Sequence, residues 1–429
     1  MEFKRQSVNA RLSDIGEFSR SVNLGATDAA RARVYHAVIS GNPGSRKDLA
    51  GRLGIRPTTV SEVVRDLIED GFVREDRRLN EGVKGPPEYL LTAAHERLVA
   101  IGLYVSSNDL MAIATDIVGT TLASDHQEVP VEADETTWLA ALGDLVGRLR
   151  KQLPNTSVVT GMSVCLPGSA EHRPREWVLA TRWPHIHHMT ADRISQASGL
   201  RTEVFRLLDA KLKHVLGCLG EEPCDSVVLV HWGYGIGAAV AENGRVLSST
   251  QGGFGEIGHW PMSPQPHRTA CRCGSHFCLE IDAALWSIGD SLLSGLSRFH
   301  EEQLYEAVPD IARAIDIDTG HREVLEQAEA KMATALAQLY TLFHPDRVLV
   351  YGPLTHLPGV LNRLNERARA LVPPRLADGF HLEAAEVDSA PAVTSMSWYL
   401  VRSALYPALA RQTDWLDERT IPWTLSASQ

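Results

Sequence analysis

Gly252-Gly253-Phe254-Gly255-Glu256-Ile257-Gly258-His259, followed by Cys271-Arg272-Cys273-Gly274-Ser275-His276-Phe277-Cys278-Leu279-Glu280, is the densest run of chemically specific residues in the 429-residue chain. Three thiols fall within eight residues, and an imidazole stands twelve positions before the first of them. Three soft sulfur donors and one imidazole complete a tetrahedral zinc site and leave no open position. The spacing therefore predicts a structural Zn(2+) held by His259, Cys271, Cys273 and Cys278. The plainer alternative is a group of buried reduced cysteines beside a core histidine. A disulfide suits the pattern less well. Cys271 and Cys273 are too close for an ordinary bridge, and Cys165, Cys218 and Cys224 lie scattered, as in a reduced cytosolic chain.

Working outward from this run, the composition fits a soluble, cytoplasmic protein of two or three domains. Residues 1–23 carry charges throughout with no apolar signal core, and no run of eighteen apolar residues occurs, so neither export nor a membrane span is expected. The net charge of −11 is uneven: residues 1–91 carry +2 and residues 92–429 carry −13. The acidic excess belongs to the second part alone, and the first part is free to meet nucleic acid.

Residues 25–92 read as a winged helix-turn-helix. Asp28 is placed to cap a first helix that ends near Gly41-Asn42-Pro43-Gly44, and Ser45 to cap a second that runs to Leu53 and closes on Gly54. A third helix begins at Arg56-Pro57-Thr58-Thr59 and carries Val60, Val63, Val64, Leu67 and Ile68 at helical spacing. Strand-like runs at Phe72-Val73-Arg74 and Tyr89-Leu90-Leu91 then flank a basic loop. On this geometry Arg56, Thr58, Thr59, Ser61, Glu62 and Arg65 face the major groove of double-stranded DNA, and Arg46, Lys47, Arg77, Arg78 and Lys84 hold its phosphates. The other reading of such a head is a module for protein contact. From residue 93 the chain alternates strands and helices, with a glycine-rich hairpin at Gly233-Tyr234-Gly235-Ile236-Gly237, as in an α/β domain. No solenoid period is present. In Trp183-Pro184-His185-Ile186-His187-His188 the histidines read as an exposed loop, because no carboxylate follows at ligand spacing.

The motif from Gly252 to Glu280 resembles the signature of the ROK family (repressor, open reading frame, kinase), and with the head in front the resemblance covers about residues 25–410. It implies an α/β fold in which the winged helix-turn-helix (25–92) precedes an actin-like, sugar-kinase-like domain of two lobes (93–412). An N-terminal extension (1–24) and a C-terminal tail (413–429) flank them. Family members with such a head resemble the xylose and N-acetylglucosamine repressors. The resemblance again gives His259, Cys271, Cys273 and Cys278 as zinc ligands. It places Asp209 at the position of the kinases' general base, and Glu256, His259 and Glu280 where those kinases bind the sugar ring. Glu256 and Glu280 have a second reading, in which they orient the zinc ligands.

Departures from the kinase pattern point away from catalysis. Where kinases carry Asp-x-Gly-Gly-Thr, this chain has Tyr104-Val105-Ser106-Ser107-Asn108. Tyr234 stands where a small hydroxyl residue is usual, and a Gly-Gly pair appears as Gly352-Pro353. The asparagine before the base is Leu208, and Lys211 replaces a second one; Lys211 either favours a phosphorylated or acidic ligand or pairs with Asp209 and closes the site. The expected function is a DNA-binding regulator, in repressor form, of carbohydrate-related genes. It would be a non-enzyme and a homodimer or homotetramer on a palindromic operator, with no membrane partner and Asp209 vestigial. A sugar or sugar phosphate is the expected effector. The alternatives are an active sugar kinase, an effector-independent regulator and a protein adaptor.

Overall fold

The structure is a computed structural model and describes residues 26–40, 44–77, 89–106, 108–171, 175–180, 183, 185–219, 224–248, 253–299 and 301–411. Arg78, Lys84, residues 1–24 and the tail 413–429 lie outside them. The described residues begin with three helices, α1 (Ala26–Ile39), α2 (Arg46–Leu53) and α3 (Pro57–Glu69). Asp28 lies inside the first turn of α1 rather than before it, where it still faces the positive helix end. At α2, Ser45 and Asp48 form a capping box, and Gly54 ends the helix at φ 63°, a left-handed position suited to glycine. Val60, Val63, Val64 and Leu67 line the buried face of α3 and pack with Val34, Tyr35 and Val38 of α1. Two antiparallel strands follow, β1 (Val73–Arg77) and β2 (Tyr89–Ala93), with Val73 opposite Ala93 and Arg77 opposite Tyr89.

The next part holds β3 (Leu98–Ser106), β4 (Asp109–Asp116), β5 (Thr121–Glu128), α4 (Glu135–Lys151), β6 (Val158–Leu166), β7 (Ser169–Glu171), β8 (Glu176–Leu179), β9 (His187–Thr190), α5 (Ala191–Ser198), β10 (Thr202–Arg206) and α6 (Leu207–Cys218). A second set follows: β11 (Ser226–Trp232), β12 (Ile236–Glu242), β13 (Arg245–Val246), α7 (Leu279–Ala283), α8 (Thr319–Phe343), β14 (Arg347–Tyr351), α9 (Val360–Leu371), β15 (Leu382–Ala384) and α10 (Ser389–Leu409). Two five-stranded sheets result, ordered β10-β6-β3-β4-β5 and β13-β12-β11-β14-β15. In each, the central strand pairs antiparallel with its successor and parallel with a strand reached through a helical crossover. The two sheets are thus built on one plan.

Helices cover the faces because parallel strands need both sides buried. Against the first sheet, Trp138, Trp177 and Trp183 are wholly buried, with ring centroids 5.6 to 6.3 Å apart. Trp183 and Ile186 are therefore core anchors and not part of an open loop, while His185, His187 and His188 are exposed as expected. His188 also has a carboxylate after all: Glu176 of the neighbouring β8 lies 2.5 Å from its Nδ1. Against the second sheet, α8 and α9 are tied by the wholly buried Glu329, which accepts from Arg363 and lies 3.4 Å from Arg367.

One element spans the assembly. The first half of α10 packs Ala392, Val393 and Met396 against Tyr104, Cys165 and Ala210. Its second half packs Leu400, Val401, Leu405 and Leu409 into the core of the N-terminal helices. Gly102 of β3 admits the helix there, since a Cβ at that position meets Ser397 and Val393. At the far end the buried Arg31 donates to the carbonyl of Leu409 (2.6 Å) and to Asp70 (2.5 Å), and Arg411 also pairs with Asp70 (2.9 Å).

Candidate functional site: a metal knuckle beside a closed cleft

Two successive tight turns build the knuckle. His259 ends a single 3-10 turn, Ile257–His259, and the next stretch returns so that Leu279 donates to the carbonyl of Trp260 (2.9 Å). Between the cysteines, Gly274 at φ 89° donates back to the carbonyl of Cys271, and Cys271 donates to Ser275. The outcome is that one ligand atom from each of His259, Cys271, Cys273 and Cys278 lies within 4.8 Å of all the others. His259 Nδ1 faces the sulfurs, 3.5 Å from Cys271 Sγ, and Cys273 and Cys278 Sγ stand 3.4 Å apart. Burial, together with the neighbouring sulfurs and Glu280, pushes the Cys271 thiol up, and burial likewise raises Cys278. Crowded thiols of this kind become thiolates only around a cation, so the donor set fits a soft divalent metal ion.

The other side of His259 faces a cluster of charged residues. Its Nε2 lies 3.8 Å from Glu256 Oε2, the carboxylate-histidine pairing that orients a metal ligand. Glu256 Oε1 in turn lies 3.4 Å from Arg206 Nε, and Arg206 Nη1 donates to Asp209 Oδ1 (3.3 Å). Burial raises the Asp209 carboxyl to about 6, opposed by Arg206 and reinforced by Glu256. Burial also raises Glu256, with Arg206 and His259 opposing. Glu280 spends both oxygens on the protein, accepting from the backbone of Ile236 (2.9 Å) and from Trp286 Nε1 (3.0 Å). The four residues expected to meet an effector are thus assembled around one corner. Arg206, at the end of β10, was not among them, because its partners Ala238, Phe254 and Glu256 lie far along the chain. Lys211, buried in α6, holds its ammonium 4.8 Å from the centroid of the Tyr351 ring.

Described residues of the two hairpin turns pack within the protein. At the β3–β4 turn the buried Asn108 donates to Glu128 Oε1 (3.2 Å) and accepts from Val129 (2.8 Å). At the glycine loop, Leu285 and Trp286 donate to the carbonyls of Gly233 and Tyr234. Arg272, between two knuckle cysteines, donates to the Tyr234 hydroxyl (2.8 Å) and lies over the rings of Tyr234 and Trp286. A Cβ at Gly233 meets His231 and Pro353, and one at Gly235 meets Glu280. These glycines serve close packing. Gly352, at φ 129° against the Trp232 carbonyl, does the same.

A profile of the ROK family matches residues 100–400, more than half the chain and enclosing both sheets and the knuckle. The chain belongs to the ROK family. As a member it resembles the DNA-binding transcriptional dual regulator NagC of Escherichia coli (strain K12), at 24% identity over 352 residues, 79% of this chain and 84% of NagC. Among solved structures, a ROK family transcriptional regulator described as a homolog of the E. coli Mlc protein superposes with a TM-score of 0.59. The match is 22% identical and covers 90% of this chain and 98% of that one. A ROK hexokinase from Thermus thermophilus gives 0.52 at 21% identity, covering 70% of this chain and 97% of the other. The sugar-kinase-like fold of the two sheets is therefore established. No helix among the described residues is long and apolar enough to cross a membrane.

On the N-terminal helices, Arg56, Lys47, Thr58, Glu62 and Arg65 are exposed, and Thr59 and Ser61 are half-buried. Arg46 is committed within the protein: it pairs with Glu75 of β1 through two nitrogens (3.2 and 3.1 Å) and donates to the carbonyl of Ser61. Arg65 lies 3.6 Å from Asp66 and 3.9 Å from Glu69, which leaves it facing solvent. Arg77 closes β1 at the edge of the undescribed loop.

Proposed function

We propose that this ROK protein is a DNA-binding transcriptional regulator, a repressor of carbohydrate-related genes in the cytoplasm, and not an enzyme. The observation that carries the reading is α3. Its buried valine and leucine stripe turns Arg56, Thr58, Glu62 and Arg65 outward from a three-helix head followed by a two-stranded wing. This supports reading the head as a winged helix-turn-helix, in which short and forked polar side chains read base edges in the major groove. The solved ROK family transcriptional regulator covers 90% of this chain, more than the residues 100–400 of the family profile, which supports a shared architecture of head and effector domain. A two-fold dimer or tetramer would place two heads on the halves of a palindromic operator. Lys47, Arg77, Arg78 and Lys84 would hold phosphates, and Arg46 would fix the wing to α2 and α3 through Glu75.

In this reading zinc bound by His259 Nδ1 and the three thiolates is structural, since four protein donors leave no site for substrate. What it supplies is rigidity for the segment that carries Glu256 and Arg272. The packed phosphate loops support the loss of phosphoryl transfer, which depends on backbone groups that cradle phosphate and on a metal-holding carboxylate. Asp209, paired with Arg206, is vestigial as a base. Selection of genomic fragments by the full chain should enrich a palindrome. Thr58→Ala or Arg65→Ala should weaken the selected site by roughly 1–3 kcal/mol per lost base contact. Recovery of no enriched palindrome would sink the proposal and leave the protein-adaptor reading. ATP-dependent phosphorylation of any sugar in a hexose panel would reinstate the kinase.

A further inference from the structure

We infer that Arg206 is a built-in occupant of the cleft and the residue that sets its specificity, taking the hydrogen-bond acceptors that a neutral hexose requires. The inference rests on the reading of Asp209 and Glu256 as the sugar-facing carboxylates. Neutral sugars are held by carboxylates because vicinal hydroxyls are donors. Here those acceptors already serve a guanidinium, with Nη1 on Asp209 and Nε beside Glu256.

The placement of Arg206 is fixed by backbone as well as by charge. Nη1 donates to the carbonyl of Phe254 and Nη2 to that of Ala238, each at 2.6 Å. Two glycines make the slot: a Cβ at Gly255 would lie 3.1 Å from Nη1, and one at Gly237 would lie 3.4 Å from Nη2. Gly255 stands at φ 76°, so its backbone conformation also favours glycine. Arg206 has a side-chain exposure of 9% and bridges α6, β12 and the loop before His259. A hexose can take Asp209 Oδ1 and Glu256 Oε1 as acceptors only by breaking these pairs, and it brings no charge to replace the one it displaces. The third carboxylate, Glu280, is held by Ile236 and Trp286, so it supplies no substitute acceptor.

The test is calorimetry of the full chain, without DNA, against glucose, N-acetylglucosamine and xylose at millimolar concentration. Because no operator is involved, the outcome is separate from whether the chain proves to be a regulator. The native chain is expected to give no binding heat. Arg206→Gln keeps an amide donor for the slot and frees both carboxylates; it is expected to give measurable binding, at least about ten-fold tighter than the detection limit that the native chain does not reach. Asp209→Asn added to that variant is expected to remove the gain, which a merely structural arginine would not predict. If Arg206→Gln does not fold, Arg206→Lys is used instead. Its single nitrogen cannot serve two carboxylates and two carbonyls, so a smaller gain of the same kind is expected. Hexose binding by the native chain that Asp209→Asn abolishes would overturn the inference. So would the absence of any gain in both Arg206 variants.

Discussion

The two five-stranded sheets have the same strand order, yet they are tied to different things. The first, β10-β6-β3-β4-β5, is clasped by α10, and through Arg31, Asp70 and Arg411 that helix is fastened to the N-terminal helices. The second, β13-β12-β11-β14-β15, carries the knuckle with its four metal donors. Corresponding hairpins differ as well: the β3–β4 turn is stitched to the next strand through Asn108, whereas the β11–β12 turn keeps its glycines and is capped by Tyr234 and Arg272. A shared topology supplies only a frame. The function of each half follows from what its turns and helix ends touch.

The largest effect is expected at the second sheet. Structural zinc in small modules is worth on the order of 10 kcal/mol of binding free energy. Cys273→Ser should therefore lower the zinc content measured by elemental analysis and bring forward the melting of this half in calorimetry. Full zinc retention would refute the ligand set. At the first sheet, Arg31→Ala takes the buried donor from the Leu409 carbonyl and leaves Asp70 with Arg411 alone, a change that typically costs about 1–3 kcal/mol. Chemical denaturation should register that loss, with proteolysis placing it at the junction of α1 and α10. A loss under 1 kcal/mol would mean that the junction is held by apolar packing alone.

A smaller effect concerns pH, and its sign differs between the α1–α10 junction and α6. Burial would raise Asp70, but hydrogen bonds from Arg411 and Arg31 outweigh it and hold the carboxyl below its ordinary value. A depressed carboxylate contributes stability above its unfolded pKa and loses it as pH falls through the folded value, so the junction should loosen in acid. Asp209 is raised to about 6, chiefly by burial. Its folded form holds the proton more tightly than the unfolded chain, so its contribution improves as pH falls from about 6 towards 4. Hydrogen exchange should show the α6 region tightening between about pH 6 and 4 while the α1–α10 junction holds steady, and the junction loosening only below about pH 4. Parallel changes would contradict these pairings.

Much of the knuckle was legible in the sequence because it is local. All four donors fall within about twenty residues, and turns such as that at Gly274 bring them together without help from distant parts. The helix caps at Ser45 and Gly54 were readable for the same reason, as was the apolar stripe of α3. The C-terminal helix α10 was not foreseen. Its low amphipathic contrast reflects burial against the first sheet, α6 and the N-terminal helices at once. Trp183 likewise looked like part of a loop until Trp138 and Trp177 closed around it.

The residues themselves therefore determine the motifs whose physics acts over one or two turns: the gathering of His259 with three cysteines, the caps and the family signature. The common plan of the two sheets left no repeat in the sequence, since strand order is written in pairings and not in residue types. The state of the cleft is decided further still from any motif. Arg206 meets Asp209 on the next helix turn, but Ala238, Phe254 and Glu256 reach it only after two strands and a loop have folded back. A charged side chain becomes a ligand, a clasp or a plug according to which buried partner arrives, and that is fixed by long-range packing.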